Sequence, residues 1–125
     1  MMRGIVEIAR PESRATGVKA EAERRIAAGI TVNGDHFRCD EMSVQRLGDM
    51  VEAFADGDVA PDGIRFRTAA GRTVVLCDRD AARTLRDAVR RFRLACLAHS
   101  DTLQGDVDVD FRLDSNWPSP PSISI

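Results

Sequence analysis

The sequence has few of the residues on which catalytic and metal sites depend. It contains two histidines, His36 and His99, three cysteines and no tyrosine in 125 residues. Neither histidine stands beside a serine or cysteine in a recognisable nucleophile motif, and each occupies a position typical of an ordinary strand or helix residue. The phosphate-binding loop, the dinucleotide glycine motif and the paired-histidine zinc motif do not occur. We therefore expect a protein that is not an enzyme and that needs no metal or cofactor.

The cysteines also lack a pattern. Cys39, Cys77 and Cys96 are odd in number and contain no Cys-x-x-Cys spacing, which favours reduced and mostly buried thiols formed in a reducing cytoplasm. No apolar run approaches the length of a membrane span, and the first ten residues lack the apolar core of a secretory signal. We expect no membrane partner.

The overall charge excludes a general attraction to nucleic acid. Eighteen lysines and arginines stand against 20 acidic residues, which gives a net charge of −2, and Lys19 is the single lysine. Hydrophobic and charged fractions of 43% and 30% are those of a globular domain, and the length suits one core.

What the sequence does have is a pattern that occurs twice. Six positions in one stretch recur 38 residues later, and each stretch follows a segment typical of a β-hairpin. Two explanations fit: an internal duplication, or convergence, because any hairpin that leads into an amphipathic helix favours an Asp cap and helical apolar spacing. The first set is Cys39, Asp40, Leu47, Asp49, Val51 and Phe54; the second is Cys77, Asp78, Leu85, Asp87, Val89 and Phe92.

This pattern predicts an α+β fold in which two consecutive ββα units form an antiparallel sheet of about four strands. Asn33-Gly34 is the preferred dipeptide of a two-residue hairpin turn. Helices are expected over about residues 41–55 and 79–100, both on one face of the sheet. The duplicated domain is assigned to residues 29–104.

The two ends are predicted to be arms. Residues 1–28 hold a short alternating segment at 4–9, which is either an edge strand or an arm, and a helix that begins after Ser13 and ends at Gly29. The apolar positions of this helix are sparse, so we expect it to pack on a partner or on the sheet edge. Residues 105–125 are acidic and then rich in Ser and Pro, which predicts an extended C-terminal arm.

One surface feature rises above the background. The residues Arg79, Arg83, Arg86, Arg90 and Arg93 are spaced 4, 3, 4 and 3 along the second long helix, so they share one side of it, which we place opposite the core face. Three interpretations remain open. The arginines form a solvated face whose positive charge is partly offset by Asp80 and Asp87, they contact a protein partner or the acidic segment of this chain, or they contact nucleic acid. The last is disfavoured by the acidic net charge.

The acidic segment is the natural counterpart of these arginines. Asp106, Asp108 and Asp110 alternate with apolar residues, and Trp117 follows. The spacing resembles the start of a calcium loop, but the central Gly and the distal Glu are missing, so an extended segment with one acidic and one apolar edge fits better. We take as candidate partner-binding residues the arginines of the helix with Asp106, Asp108, Asp110 and Trp117.

Four sequence runs, taken in order, resemble those of a known family. The runs KAEAERRIAAGITVNG, FRCDEMSVQRLGDMVEAF, IRFRTAAGRTVVLCDRDAARTLRDAVRRFRLAC and SNWP span about residues 19 to 118. Together they resemble a domain of unknown function found in tailed phages and prophages, usually near the C-terminus of tail or tail-fibre-associated proteins.

The resemblance implies a structural role and supplies no catalytic residues. On this basis we expect a phage tail or baseplate protein, located in the virion and assembled in the host cytoplasm. It would form homo-oligomers and bind other tail or tail-fibre proteins, with no nucleic acid or membrane partner. The alternative is an assembly chaperone of the tail fibre that is absent from the mature virion.

Overall fold

The computed structural model describes residues 11–68 and 70–125, with side chains from residue 14 onward. These residues form an α+β fold with three helices and two small sheets. The segment predicted as an edge strand or arm at residues 4–9 lies outside the described residues. In chain order the elements are α1 (Pro11–Ala28), β1 (Ile30–Val32), β2 (Asp35–Phe37), α2 (Glu41–Asp56), β3 (Ile64–Arg67), β4 (Thr73–Leu76), α3 (Arg79–Gly105) and β5 (Ser122–Ile123).

The four hairpin strands do not form the single sheet that the sequence predicts. β1 and β2 belong to a three-stranded sheet ordered β2-β1-β5, and β3 and β4 form a separate two-stranded sheet. The hairpins meet through side chains: the rings of Phe37 and Phe66 lie edge to face with centroids 5.4 Å apart. An ion pair of 3.6 Å joins Asp35 to Arg72 near the hairpin tips. The packed rings, not a hydrogen-bonded ladder, join the two hairpins.

Each hairpin begins at a glycine that no other residue replaces without strain. Gly29 has a φ of 71°, and a methyl group on its Cα would overlap the carbonyl oxygen of Phe37. Gly63 has a φ of 85° and stands in the same relation to the carbonyl oxygen of Leu76. A missing Cβ therefore permits the close approach of the two strands at the base of each hairpin.

α2 and α3 begin at the caps that the sequence indicates, whereas α1 begins at Pro11, before the predicted cap Ser13. The Asp40 carboxylate accepts hydrogen bonds from the Ser43 amide at 3.0 Å and from the Ser43 hydroxyl at 2.6 Å. The Asp78 carboxylate accepts from the Ala81 amide at 2.8 Å. α3 continues past the predicted end at residue 100, because its last turns still bury Ser100 and Leu103.

The main core lies between α2, α3 and the strands. α2 and α3 supply the equivalent side chains Leu47 and Leu85, both 1% exposed or less. α1 packs along α3 and contributes to a second, smaller cluster with the C-terminal segment. The main cluster comprises Ile26, Ile30, Val32, Cys39, Leu47, Val51, Leu76, Ala82, Leu85, Val89, Phe92 and Cys96.

The C-terminal segment is part of the fold and does not reach outward. β5 pairs in parallel with β1 through the Thr31 amide, which donates to the Pro121 carbonyl at 3.0 Å, and the Asn33 amide, which donates to the Ile123 carbonyl at 2.9 Å. Ile123 and Ile125 pack on the main core. The polar composition predicted an arm, but alternation of Ser and Ile in the last four residues suits a strand with one buried edge.

Candidate interaction surfaces

The five arginines of α3 form a row that borders the core rather than facing away from it. Arg79, Arg83 and Arg90 are exposed, whereas Arg86 and Arg93 are half-buried. Spacings of three and four along an α-helix place all five within one stripe. Arg86 and Arg93 lie at the edge of that stripe nearest the core, which accounts for their half-burial.

Part of this row is neutralised within the chain. Asp87 accepts from Arg86 at 3.0 Å and from Arg90 at 3.3 Å. Within the part of the chain that the structure describes, Arg79, Arg83 and Arg93 have no carboxylate within 4.0 Å. Close like charges repel, so an external anionic surface would stabilise this row.

An exposed apolar side chain stands beside the row. Leu94 is 54% exposed and lies four residues after Arg90, hence one turn further along the helix. Guanidinium groups beside an exposed leucine combine charge pairing with apolar burial, and arginine is among the residues that contribute most at protein interfaces. This part of α3 can bind an acidic protein surface that carries an apolar residue.

The acidic segment does not reach the arginine row. Arg14 of α1 donates to the main-chain carbonyls of Leu103 at 3.0 Å, of Val109 at 2.9 Å, and of Asp106. These bonds hold residues 103–109 beside the start of α1. The carboxylates of Asp106, Asp108 and Asp110 remain on exposed residues, so their charge is available to a partner.

Trp117 lies inside the chain's own second cluster. It is 4% exposed, its indole N–H donates to the Phe111 carbonyl at 2.6 Å, and the Arg25 guanidinium lies 5.4 Å from its ring centroid. The ring therefore fastens the C-terminal segment to α1, with little surface left for a partner.

A buried carboxylate that the sequence did not single out supports this arrangement. Glu21 is 5% exposed and pairs with Arg24 at 2.8 Å and with Arg25 at 2.9 Å. Arg25 also pairs with Asp114 at 2.8 Å, which ties the C-terminal segment to α1 a second time. The spacing of four between Glu21 and Arg25 was the available signal, but Asp114 is remote in sequence.

A cleft of about 370 Å³ opens where the two hairpins meet the start of α2. Its volume is near the lower end of known ligand pockets, which span roughly 300–1,000 Å³. We call it the hairpin cleft; it is lined by His36, Phe37, Arg38, Ser43, Arg46, Leu47, Met50, Phe66, Arg67 and Thr68.

The hairpin cleft has an apolar floor and a cationic rim. Leu47, Phe37 and Phe66 form part of the floor, while Arg46 and Arg67 are exposed at the rim. Alternation of side chains along β3 is consistent with an exposed Arg67, but nothing in the sequence indicated that Arg46 of α2 would line the same cleft. The cleft was therefore missed.

Burial makes two of the three thiols, those of Cys39 and Cys96, poor nucleophiles. Burial raises the pKa of the Cys39 thiol to about 12 and that of the Cys96 thiol to about 11. Only the thiolate reacts. Cys77 is exposed, so the expectation of buried thiols holds for Cys39 and Cys96 alone.

The described residues offer neither a cluster of metal ligands nor a membrane-spanning helix. In them, no group of three or more His, Cys, Asp or Glu side chains is placed to hold a metal ion. Nor does any helix in this part of the chain have the length and apolarity to cross a membrane.

Comparison with known sequences gives one family. A family model described as "Domain of unknown function (DUF4376)" matches residues 9–115, which is most of the chain. No curated protein and no solved structure matches.

Proposed function

We propose that this chain, which belongs to the family of the domain of unknown function DUF4376, is a structural protein of a phage tail or baseplate. In this proposal it is associated with the tail fibre, acts by oligomerisation and by contacts with other tail proteins, and catalyses no reaction. It is assembled in the host cytoplasm and is retained in the virion. The motif resemblance described above supplies the phage context, and the surface of α3 supports the mode of action.

The observation that carries the proposal is the arginine row with Leu94. Three guanidinium groups lack a carboxylate partner among the described residues, and Leu94 is 54% exposed beside them. Exposed charges steer association and select partners of the opposite sign, and an adjacent apolar side chain adds burial. A protein partner with carboxylates around an apolar residue satisfies both features.

The proposal includes a duplicated ββα scaffold. Its support is that the two helix caps, Asp40 and Asp78, occupy equivalent positions, as do the buried pairs Leu47 with Leu85 and Val51 with Val89. A duplication would supply two similar units on which different surfaces later diverged, with the long arginine-bearing helix in the second.

One observation favours the alternative, a tail-fibre assembly chaperone that leaves before maturation. The C-terminal segment was predicted to be an extended arm, which could have reached a neighbouring subunit, but β5 pairs with β1 of its own chain. A chain that closes its own sheet edge in this way offers one contact fewer to a permanent neighbour, which suits a transient complex.

Quantitative mass spectrometry of purified phage particles distinguishes the two. A structural component is present at a fixed number of copies per particle, in a constant ratio to the major tail proteins. A chaperone is found with fibre subunits in the infected cell and is lost from the particles. Absence from both the particles and the fibre complexes would contradict both functions.

A further inference from the structure

We infer that the exposed acidic turn at residues 106–108 of one copy docks into the hairpin cleft of a second copy, so that the chains associate head to tail. The inference rests on the proposed function, because it specifies how copies of this chain contact one another. The proposed contact uses side chains outside the arginine row, so the inference and the proposed function can fail independently.

The hairpin cleft has the chemistry of a receptor for an acidic turn with an apolar tip. Arg46 and Arg67 at its rim have no carboxylate within 4.0 Å among the described residues, whereas Arg38 is held by Asp40 at 3.0 Å. The half-buried rings of Phe37 and Phe66 present apolar surface between these arginines. A ligand that places carboxylates at the rim and a small aliphatic group on the floor uses both parts of the cleft.

The acidic turn presents this combination. Asp106 and Asp108 are exposed on either side of Val107, which is itself 65% exposed. The turn is preformed: the Val109 amide donates to the Asp106 carbonyl at 3.2 Å, and Arg14 binds the carbonyls of Asp106 and Val109. Because the main chain is already fixed, docking costs little conformational entropy.

The hairpin cleft also offers main-chain groups. The Asn33-Gly34 turn makes Val32 and Asp35 the first paired residues of the hairpin, so ladder alternation directs the amide and carbonyl of His36 away from β1. The opposite edge of β1 follows the same alternation, since the Thr31 amide bonds to Pro121 of β5. A turn in the cleft can therefore add hydrogen bonds to the edge of β2.

One chain cannot satisfy this contact by itself. The acidic turn lies at the Arg14 end of α1, and the first hairpin begins at Gly29, just beyond the other end of that helix. An α-helix rises about 1.5 Å per residue, so the 15 residues from Arg14 to Gly29 separate the two sites by roughly 22 Å. The acidic turn and the hairpin cleft thus stand at opposite ends of the molecule, and only a second copy can bring them together.

Such a contact is heterologous, because two different surfaces meet. Heterologous contacts repeat from copy to copy and give closed rings or open filaments, not symmetric dimers. The contact area is small, so we expect purified protein to associate weakly and in a salt-sensitive manner, with stronger association when copies are held together in a particle.

Complementation between two variants of the full chain tests the inference. Arg46→Glu with Arg67→Glu reverses the rim of the hairpin cleft, and Asp106→Asn with Asp108→Asn neutralises the turn. Sedimentation velocity at low salt should show that each variant alone associates at least about tenfold more weakly than the wild type. An equimolar mixture should regain a two-chain complex, because it unites one intact turn with one intact cleft.

The control is Lys19→Glu with Arg91→Glu, which changes the net charge as the cleft variant does but alters exposed residues outside both sites. It should associate like the wild type, and circular dichroism should show that all variants are folded. A wild type that stays monomeric at every concentration would overturn the inference, as would loss of association in both variants without recovery in the mixture. Neither result affects the copy number in particles, which tests the proposed function.

Discussion

The two strand-strand-helix halves, residues 30–56 and 64–105, share their caps and core positions but differ by one residue at a decisive point. In the first half, two residues separate the end of β2 at Phe37 from the cap Asp40. In the second, one residue separates the end of β4 at Leu76 from the cap Asp78.

That extra residue changes the burial of the cysteine that precedes the cap. Cys39 precedes its cap, is fully buried, and donates its amide to the Ile26 carbonyl at 2.9 Å. Cys77 precedes the equivalent cap and is exposed, because it follows the buried Leu76 directly and side chains alternate along a strand. An identical Cys-Asp dipeptide therefore has two environments, and the length of the connection decides between them.

The halves differ also in the length of their helices. α2 has 16 residues and ends at Asp56, where Gly57 caps it, whereas α3 has 27 residues. The additional turns of α3 pack on α1 and carry Leu103 into the second cluster. The second half thus has a long helix with a surface that the first half lacks.

The two halves share a glycine at the base of the hairpin, and adding a methyl group there should have the largest effect on stability. Gly29→Ala should prevent folding or cost more than about 4 kcal/mol, because the new methyl overlaps the Phe37 carbonyl oxygen. Gly63→Ala should be severe but milder, since its overlap with the Leu76 carbonyl oxygen is less deep. Urea unfolding followed by circular dichroism measures both.

Gly34 and Gly57 provide the matched controls for that test. Both have positive φ, 87° and 76°, but a methyl at either would meet no atom within 4 Å. Alanine there should cost only the roughly 1–2 kcal/mol of left-handed backbone. Equal losses at Gly29 and Gly57 would mean that close approach of the strands does not determine the cost.

A second test compares the two helix caps. Asp40→Ala and Asp78→Ala should each lower the free energy of unfolding by about 1 kcal/mol, because each leaves a first-turn amide without its acceptor. Asp40 should be the more costly of the two, since its carboxylate also accepts from the Ser43 hydroxyl. Denaturant titration of the single variants measures the difference.

The pH dependence adds a check at Asp40. The hydrogen bond from the Ser43 hydroxyl is the main factor that holds the pKa of the Asp40 carboxyl below its usual value. A depressed pKa in the folded state gives stability that is present above about pH 3.9 and is lost as the pH falls through the folded-state value. Asp40→Asn keeps a capping oxygen and should remove this acid dependence; an unchanged acid profile would contradict the assignment.

The smallest effect on stability, and the sharpest contrast between the halves, concerns the thiols. In the native protein a thiol reagent should modify Cys77 rapidly and Cys39 and Cys96 only after unfolding. Mass spectrometry of the labelled chain identifies the site. Rapid labelling of Cys39 would show that the extra residue does not bury it.

The loss of stability at alkaline pH provides a second test of the burial of Cys39. Its pKa is raised to about 12 by burial, so it contributes stability below its unfolded pKa of about 8.5 that is lost as the pH rises toward 12. Cys39→Ala removes this group, and its stability should fall less steeply over that interval than that of the wild type.

Local patterns predicted the elements better than their assembly. The helical spacing of Leu47 and Val51, the cap Asp40 and the Asn33-Gly34 turn are all short-range signals, and the structure has a helix and a hairpin at these places. How strands pair depends on which edges remain free and on side chains far apart in sequence. The Phe37–Phe66 contact and the pairing of β5 with β1, which replace the predicted four-stranded sheet, are of this kind.

The candidate surfaces show the same difference between what short-range patterns predict and what depends on long-range contacts. The arginine row follows from spacing within one helix, so the sequence was sufficient to identify its members. How far each arginine is buried was not predictable, because the half-burial of Arg86 and Arg93 depends on neighbouring elements. Trp117 was expected at a partner surface, but Arg25 from a distant part of the chain lies over its ring and the nearby Phe111 carbonyl accepts from its indole N–H.

The incorporation of charge-reversed protein into particles tests the central claim most directly. Arg79→Glu with Arg83→Glu reverses two exposed members of the row that have no carboxylate within 4.0 Å among the described residues, and acidic residues favour the start of a helix, so the fold should be retained. If the row binds another tail protein, mass spectrometry should find this variant depleted at least about tenfold in particles, with the Lys19→Glu and Arg91→Glu control at the wild-type level. Wild-type copy numbers of the folded row variant would contradict a role for the arginine row in assembly.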